Sequence, residues 1–213
     1  MKIFDGLYAF IWQDYRENNC NTYFIDRDKK ILIDPGHDHL FGHVEQGLGQ
    51  LGVPVSAIDY VLITHGHPDH LEAAFRLQNP SLLAMSREEY RFIKQWSGPN
   101  YDIPGPDLYL SEGMLQIGDV NLEVFDTPGH SPGSVCLYWA EKKVLFTGDV
   151  IFNQGIGRTD LPEGSGPRLK ESIRRIKNLD VEILLSGHGE ILAGKEAVQQ
   201  NFRFIEDYWF RYI

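Results

Sequence analysis

The chain has 213 residues, a formal net charge of −10, 42% hydrophobic and 23% charged residues. That length suits one substantial core, and the acidic balance argues against a reader of nucleic-acid phosphates or an anionic membrane surface. Two cysteines, Cys20 and Cys136, are too few for a disulfide framework and read as buried thiols. Asp5 and Gly6 interrupt any leader-like apolar run, and no stretch reaches about 18 apolar residues, so a cytoplasmic protein without a membrane span is expected.

Strand-like segments come first, at residues 8–12, 21–26 and 30–34, the last closed by the turn Asp34-Pro35-Gly36. A helical pattern covers 40–51, followed by a buried strand at 59–64 and a helix at 69–77. Residues 81–85 read as a strand and 86–96 as a helix, with Ser86 as N-cap and Glu89 completing a capping box. The stretch 97–106, with three prolines and two glycines, is a loop. Its neighbours Trp96 and Tyr101 are expected to pack on the domain, with cover over a pocket as the alternative. Strands resume at 114–117, 120–126, 134–139 and 143–147, then a helix at 168–179 and a strand at 182–186. A final helix at about 194–212 carries Val198, Phe202, Ile205, Trp209 and Tyr212 as a core stripe. Phe204 and Phe210 lie off that stripe and leave a homodimer face open. A single domain over 1–213 with sheets covered by helices is expected.

The chemistry concentrates in Thr64-His65-Gly66-His67-Pro68-Asp69-His70, directly after the apolar run Tyr60-Val61-Leu62-Ile63. Three imidazoles and a carboxylate beside a buried strand would cost several kcal/mol unless satisfied, and a borderline divalent cation satisfies them together. His130, Asp149 and His188 recur in glycine-containing turns at the ends of later apolar strands. The ligand set is therefore His65, His67, Asp69, His70, His130, Asp149 and His188, too many for one tetrahedral ion and suited to two with one shared carboxylate. Such a pair, with two carboxylates and a hydroxide, carries about +1 and favours a substrate with a carbonyl or anionic group. His37, His39 and His43 belong to a solvated loop and helix start, with His37 near enough to the Asp34 turn to line a pocket.

These motifs, spanning residues 22–190, resemble the metallo-β-lactamase fold superfamily, with its H-x-H-x-D-H segment, later histidine, bridging aspartate and last histidine. The resemblance implies an α+β fold, a four-layer αββα sandwich. It implies His65, His67 and His130 on one metal, Asp69, His70 and His188 on the second, Asp149 as the bridge, and Asp34 as a hydrogen-bonding support beneath them. Residues 155–162, Gly-Ile-Gly-Arg-Thr-Asp-Leu-Pro, resemble a segment of glyoxalase II-like hydrolases and persulfide dioxygenases. Arg158 and Asp160 within it read as a mutual ion pair rather than a substrate contact.

True β-lactamases typically lack the aspartate found at 149. Flavodiiron reductases have an acidic residue where Gly66 stands, and RNA-processing members are expected to carry further RNA-binding elements. Glyoxalase II proper has a C-terminal helical domain, whereas the residues after His188 suffice for one helix.

The implied function is a dinuclear hydrolase whose metal-bound hydroxide, with Asp69 and Asp149 as catalytic carboxylates, attacks a thioester or other ester-like bond of a small molecule. The implied cofactors are two divalent ions, zinc foremost, with iron or manganese as alternatives. The rival activities are a mononuclear iron persulfide dioxygenase using His65, His130 and Asp149, and a lactonase or other hydrolase of the same fold.

Overall fold

Two β-sheets lie face to face, each covered on its outer side by helices. The structure, a computed structural model, describes residues 1–14, 16–77, 79–97 and 105–213. Among them the first sheet runs in the order β1 (Lys2–Phe4), β2 (Leu7–Phe10), β3 (Thr22–Asp26), β4 (Lys30–Ile33), β5 (Tyr60–Leu62), β6 (Leu82–Ser86) and β7 (Leu108–Leu110). The second holds β8 (Gly113–Ile117), β9 (Val120–Asp126), β10 (Val135–Trp139), β11 (Val144–Gly148), β14 (Ile183–Ser186) and β15 (Leu192–Ala193). A short ribbon, β12 (Ile151–Phe152) and β13 (Gly155–Ile156), projects after β11.

Burial explains the layering. The central strands β10 and β11 are buried at every residue, as expected of strands covered on both faces, whereas the edge strand β8 alternates. Alternate side chains of β3 face opposite ways. Tyr23 and Ile25 join Ile33, Leu62, Leu137 and Phe146 in the core between the sheets. Phe24 joins Leu32 and Val61 against Val44 and Leu48 of α1 (Gly42–Gln50), Leu71 of α2 (Pro68–Leu71), Leu77 of α3 (Ala74–Leu77) and Ile93 of α4 (Arg87–Trp96). On the far side, Cys136, Leu145 and Leu184 pack against Leu169 and Ile173 of α5 (Gly166–Ile176) and Val198, Phe202 and Ile205 of α6 (Lys195–Asp207). The result is the αββα sandwich.

Strands β4, β5 and β6 run parallel, and so do β11 and β14, with β9 in the same direction through two antiparallel pairings. Their carboxyl ends therefore open on one edge of the sandwich. The sheets are tied there by Val135 N–H donating to Thr64 O at 2.9 Å, Asn21 N–H to Gly187 O at 2.6 Å and Tyr23 O–H to Ser186 O at 2.6 Å.

Several elements depart from expectation. The helix expected at 69–77 is two pieces, α2 and α3. Ala73 N–H donates to Gly36 O at 2.9 Å, and the Asp69 carbonyl that a continuous helix would use accepts from Cys20 N–H at 3.3 Å. The final helix ends at Asp207 and a 3-10 turn, Trp209–Arg211, follows. Tyr212 is exposed instead of joining the stripe, while Phe210 packs against the α5–α6 core. Of the two off-stripe aromatics, only Phe204 stays exposed. Trp96 is half-exposed and lines a cavity; Tyr101 lies outside the described residues. Strands β1, β7, β12, β13 and β15 were not anticipated, being two or three residues long.

Candidate metal centre

All seven sequence-identified side chains meet at the shared edge. His65, His67 and His130 present ring nitrogens within 4.8 Å of one another, and so do ligand atoms of Asp69, His70 and His188. His65, His70 and Asp149 form a third such group that joins the two halves. Asp149 stands between them: its Oδ2 lies 3.4 Å from both His130 Nε2 and His188 Nε2, and its Oδ1 lies 3.3 Å from His70 Nε2.

Glycine makes this convergence possible. A Cβ on Gly187 would come within 2.3 Å of Asp149 Oδ1 and 2.7 Å of His70 Cε1. A Cβ on Gly66 would sit 2.1 Å from Ile93 Cδ1, so a larger residue there would force the histidine loop off α4.

Hydrogen bonds fix which ring nitrogens remain open. His130 Nδ1 donates to the Arg158 carbonyl at 2.7 Å, which leaves Nε2 as a lone pair 2.8 Å from His67 Nδ1. Asp34 organises both halves. Its Oδ2 accepts from His70 Nδ1 at 2.9 Å and from Thr64 Oγ1 at 2.6 Å, and its Oδ1 accepts from Thr64 N–H at 2.8 Å. With its proton given to Asp34, Thr64 Oγ1 accepts from His65 Nδ1 at 3.2 Å, so His65 also turns Nε2 inward. Asp34 itself adopts φ 51°, a left-handed conformation unusual outside glycine.

The two halves differ electrically. Burial lowers the pKa of His65 and His130, and burial with the neighbouring His130 brings His67 to about 4. At His188 burial opposes the charged form, but Asp149 and Asp69 outweigh it and raise the pKa to about 9. Burial likewise disfavours charge on His70, yet Asp149 and Asp34 raise it. Burial would raise Asp69 and Asp149, but His188 and His70 hold both carboxyls low.

Asp34 is the support the resemblance implied; sequence reasoning missed the others. Ser86 Oγ does accept from Glu89 N–H at 3.1 Å, as an N-cap should, but the Glu89 side chain does not return to the cap. Its fully buried carboxylate accepts from Gly66 N–H at 2.8 Å, from Gly133 N–H at 2.8 Å and from Ser131 Oγ–H in a short bond. Glu89 thus ties the His65–His67 loop to the His130 loop, and burial raises its pKa. Asn18 Nδ2 donates to Asp69 Oδ2 at 2.6 Å, and Asn21 Nδ2 holds the turn around His188 through Ser186 O and Gly189 O. The run Asn18-Asn19-Cys20-Asn21 ahead of β3 was the available signal.

Arg158 forks onto Asp160 at 2.9 and 2.8 Å, the ion pair expected, and serves the centre through its carbonyl. His37 pairs with Glu72 at 2.7 Å and His43 with Leu40 O at 2.9 Å.

A family model described as the metallo-beta-lactamase superfamily matches residues 15–188. The chain belongs to the metallo-beta-lactamase superfamily. This superfamily member is 34% identical over 187 residues to hydroxyacylglutathione hydrolase GloC of Haemophilus influenzae, covering 81% of this chain and 86% of that protein. It is similar in fold to a metallo-beta-lactamase family protein of Thermus thermophilus, with TM-score 0.80 and 22% identity over 98% of this chain and 80% of the other. TTHA1623 in a di-iron-bound form superposes with TM-score 0.69 and 27% identity, over 85% of this chain and 93% of that one. The metallo-beta-lactamase fold implies divalent metal ions. The residues present fit them: the inward lone pairs of His65 and His130 converge, and the buried Asp149 Oδ1 makes no hydrogen bond beyond its 3.3 Å approach to His70 Nε2.

Proposed function

We propose that this superfamily member is a dinuclear metallohydrolase that cleaves a thioester or related ester. The observation that carries the reading is the complete seven-residue donor set in two facing groups, with the Asp149 carboxylate between them. His65, His67 and His130 would hold one ion, Asp69, His70 and His188 the other, and Asp149 both. A donor set richer in imidazole than in carboxylate suits zinc first. When bound, two divalent ions polarise the substrate carbonyl and bring the pKa of water down towards about 7.

The chain's own residues do the rest. Asp34 and the Arg158 carbonyl fix imidazole orientation, which keeps donor distances constant through turnover. Asp69, with Asn18 donating to its Oδ2, would orient the attacking water. Hydrogen bonds tie the two sheets together at this edge, so the carbonyl would meet groups held in place and little reorganisation would be needed.

The test is thiol release from simple thioesters by the metal-loaded protein, followed by colour formation with a disulfide reagent. Turnover that a chelator removes and added zinc restores is expected. Inertness towards all thioesters and esters in the metal-loaded state contradicts the reading.

A further inference from the structure

A cavity of about 520 Å³ opens beside the centre, and His67 forms part of its wall. Its volume falls within the range of small-molecule sites. Phe75, Phe92, Ile93, Trp96 and Leu161 supply most of the remaining lining. Trp96 is 55% exposed and packs beside the partly buried Phe92 with ring centroids 6.0 Å apart, so α4 presents two aromatic rings to the cavity.

The charge around the centre is equally telling. No Lys or Arg is among the described residues lining this cavity, whose one charged side chain is Glu72. A second cavity, of about 440 Å³ on the His188 side, has Asp14, Glu17 and Glu190 but no Lys or Arg among its described lining residues; of these carboxylates Asp14 is forked by Arg16, while Glu190 lies beside His188 in the lining. Arg158, on the loop that carries Leu161, is already forked onto Asp160. A glutathione moiety brings two carboxylates, which a wall of this charge repels and an apolar wall leaves unsolvated.

We infer that the cavity beside His67 receives an apolar group, medium-length aliphatic or aryl, borne by the scissile ester or thioester. This rests on the hydrolase reading and narrows its substrate to hydrophobic compounds in place of glutathione conjugates. The cavity is continuous with a proposed metal ligand, so a chain seated in it carries its carbonyl to the centre. The apolar group is either the acyl chain or the leaving group, and these need separate substrate series.

The test uses the metal-loaded protein and two sets of neutral thioesters: acetyl to octanoyl on one small thiol, and acetate on thiols from ethyl to octyl. kcat/KM is expected to rise roughly fourfold per buried methylene in one series. Read as the ratio of the longest to the shortest substrate within each variant, that slope should flatten in Trp96→Glu, at an exposed position, and in Phe92→Glu. Flat profiles in both series, or a glutathione thioester preferred over every hydrophobic one, overturn the inference and leave the hydrolase reading intact. If nothing is hydrolysed, the hydrolase reading fails and the cavity is read by calorimetry. Octanoate binding that acetate does not show and that Trp96→Glu removes sustains the cavity's role; no octanoate binding ends it.

Discussion

The two halves of the centre face each other across Asp149 and are built on opposite electrical principles. His65, His67 and His130 form a neutral basket, its lone pairs already open because burial keeps the rings unprotonated. The half made of Asp69, His70 and His188 is an ion-pair cluster, in which two carboxylates hold protons on two imidazoles. A buried neutral donor set waits for a cation, whereas a buried ion pair must surrender a proton to accept one. The difference implies ordered loading, the trihistidine half first.

The largest effect is expected at the shared carboxylate. Asp149→Ala should lower kcat/KM by at least about 10³-fold, equivalent to several kcal/mol of lost charge stabilisation, and should cost ion binding in both halves. Steady-state kinetics with metal analysis would check it, and near-normal turnover would break the two-ion account.

The comparison itself is sharpened by pH. Ligands bind metal deprotonated, so a raised pKa makes the proton a competitor. With His188 at about 9 and His70 raised as well, affinity of the mixed half should fall by at least about tenfold per pH unit as pH drops below 9. With His67 at about 4, the trihistidine half should keep its affinity until the pH approaches that value. Cobalt titration of the metal-free protein at several pH values should show two sites that separate as pH falls. Parallel pH dependence of both sites would erase the distinction.

Supports come next. Glu89→Gln should weaken the trihistidine half by roughly 10–100-fold and spare the other, because its carboxylate ties only the loops bearing His65, His67 and His130. Asp34→Asn should weaken both halves, since it orients His70 directly and His65 through Thr64. Smallest of all, Arg158→Ala should change kcat/KM by no more than about threefold. Its guanidinium and its Asp160 partner are both exposed, where solvent screens the pair, and the carbonyl that positions His130 survives the substitution.

The ligands were legible because metal chemistry restricts residue type and strand ends restrict position. His65, His67, Asp69 and His70 lie within six residues, and His130, Asp149 and His188 each follow an apolar strand. Asp34 was legible too, but Glu89 was hidden by a local rule that fits equally well. Ser86 and Glu89 satisfy the capping-box spacing, and only tertiary structure reveals that the glutamate turns to two distant loops. The break between α2 and α3 was invisible for a similar reason, since it depends on Gly36 and Cys20 competing for helix backbone groups. Short edge strands and the 3-10 turn after Asp207 carry too few residues for a periodic signal.

The central claim is that both halves hold a catalytic ion. It is tested most directly by elemental analysis of freshly purified protein, paired with thioester hydrolysis and oxygen uptake on the same sample. About two divalent ions per chain with thiol release, and no oxygen consumed, is the expected result. About one iron per chain with oxygen uptake on a persulfide, and no hydrolysis, would contradict it.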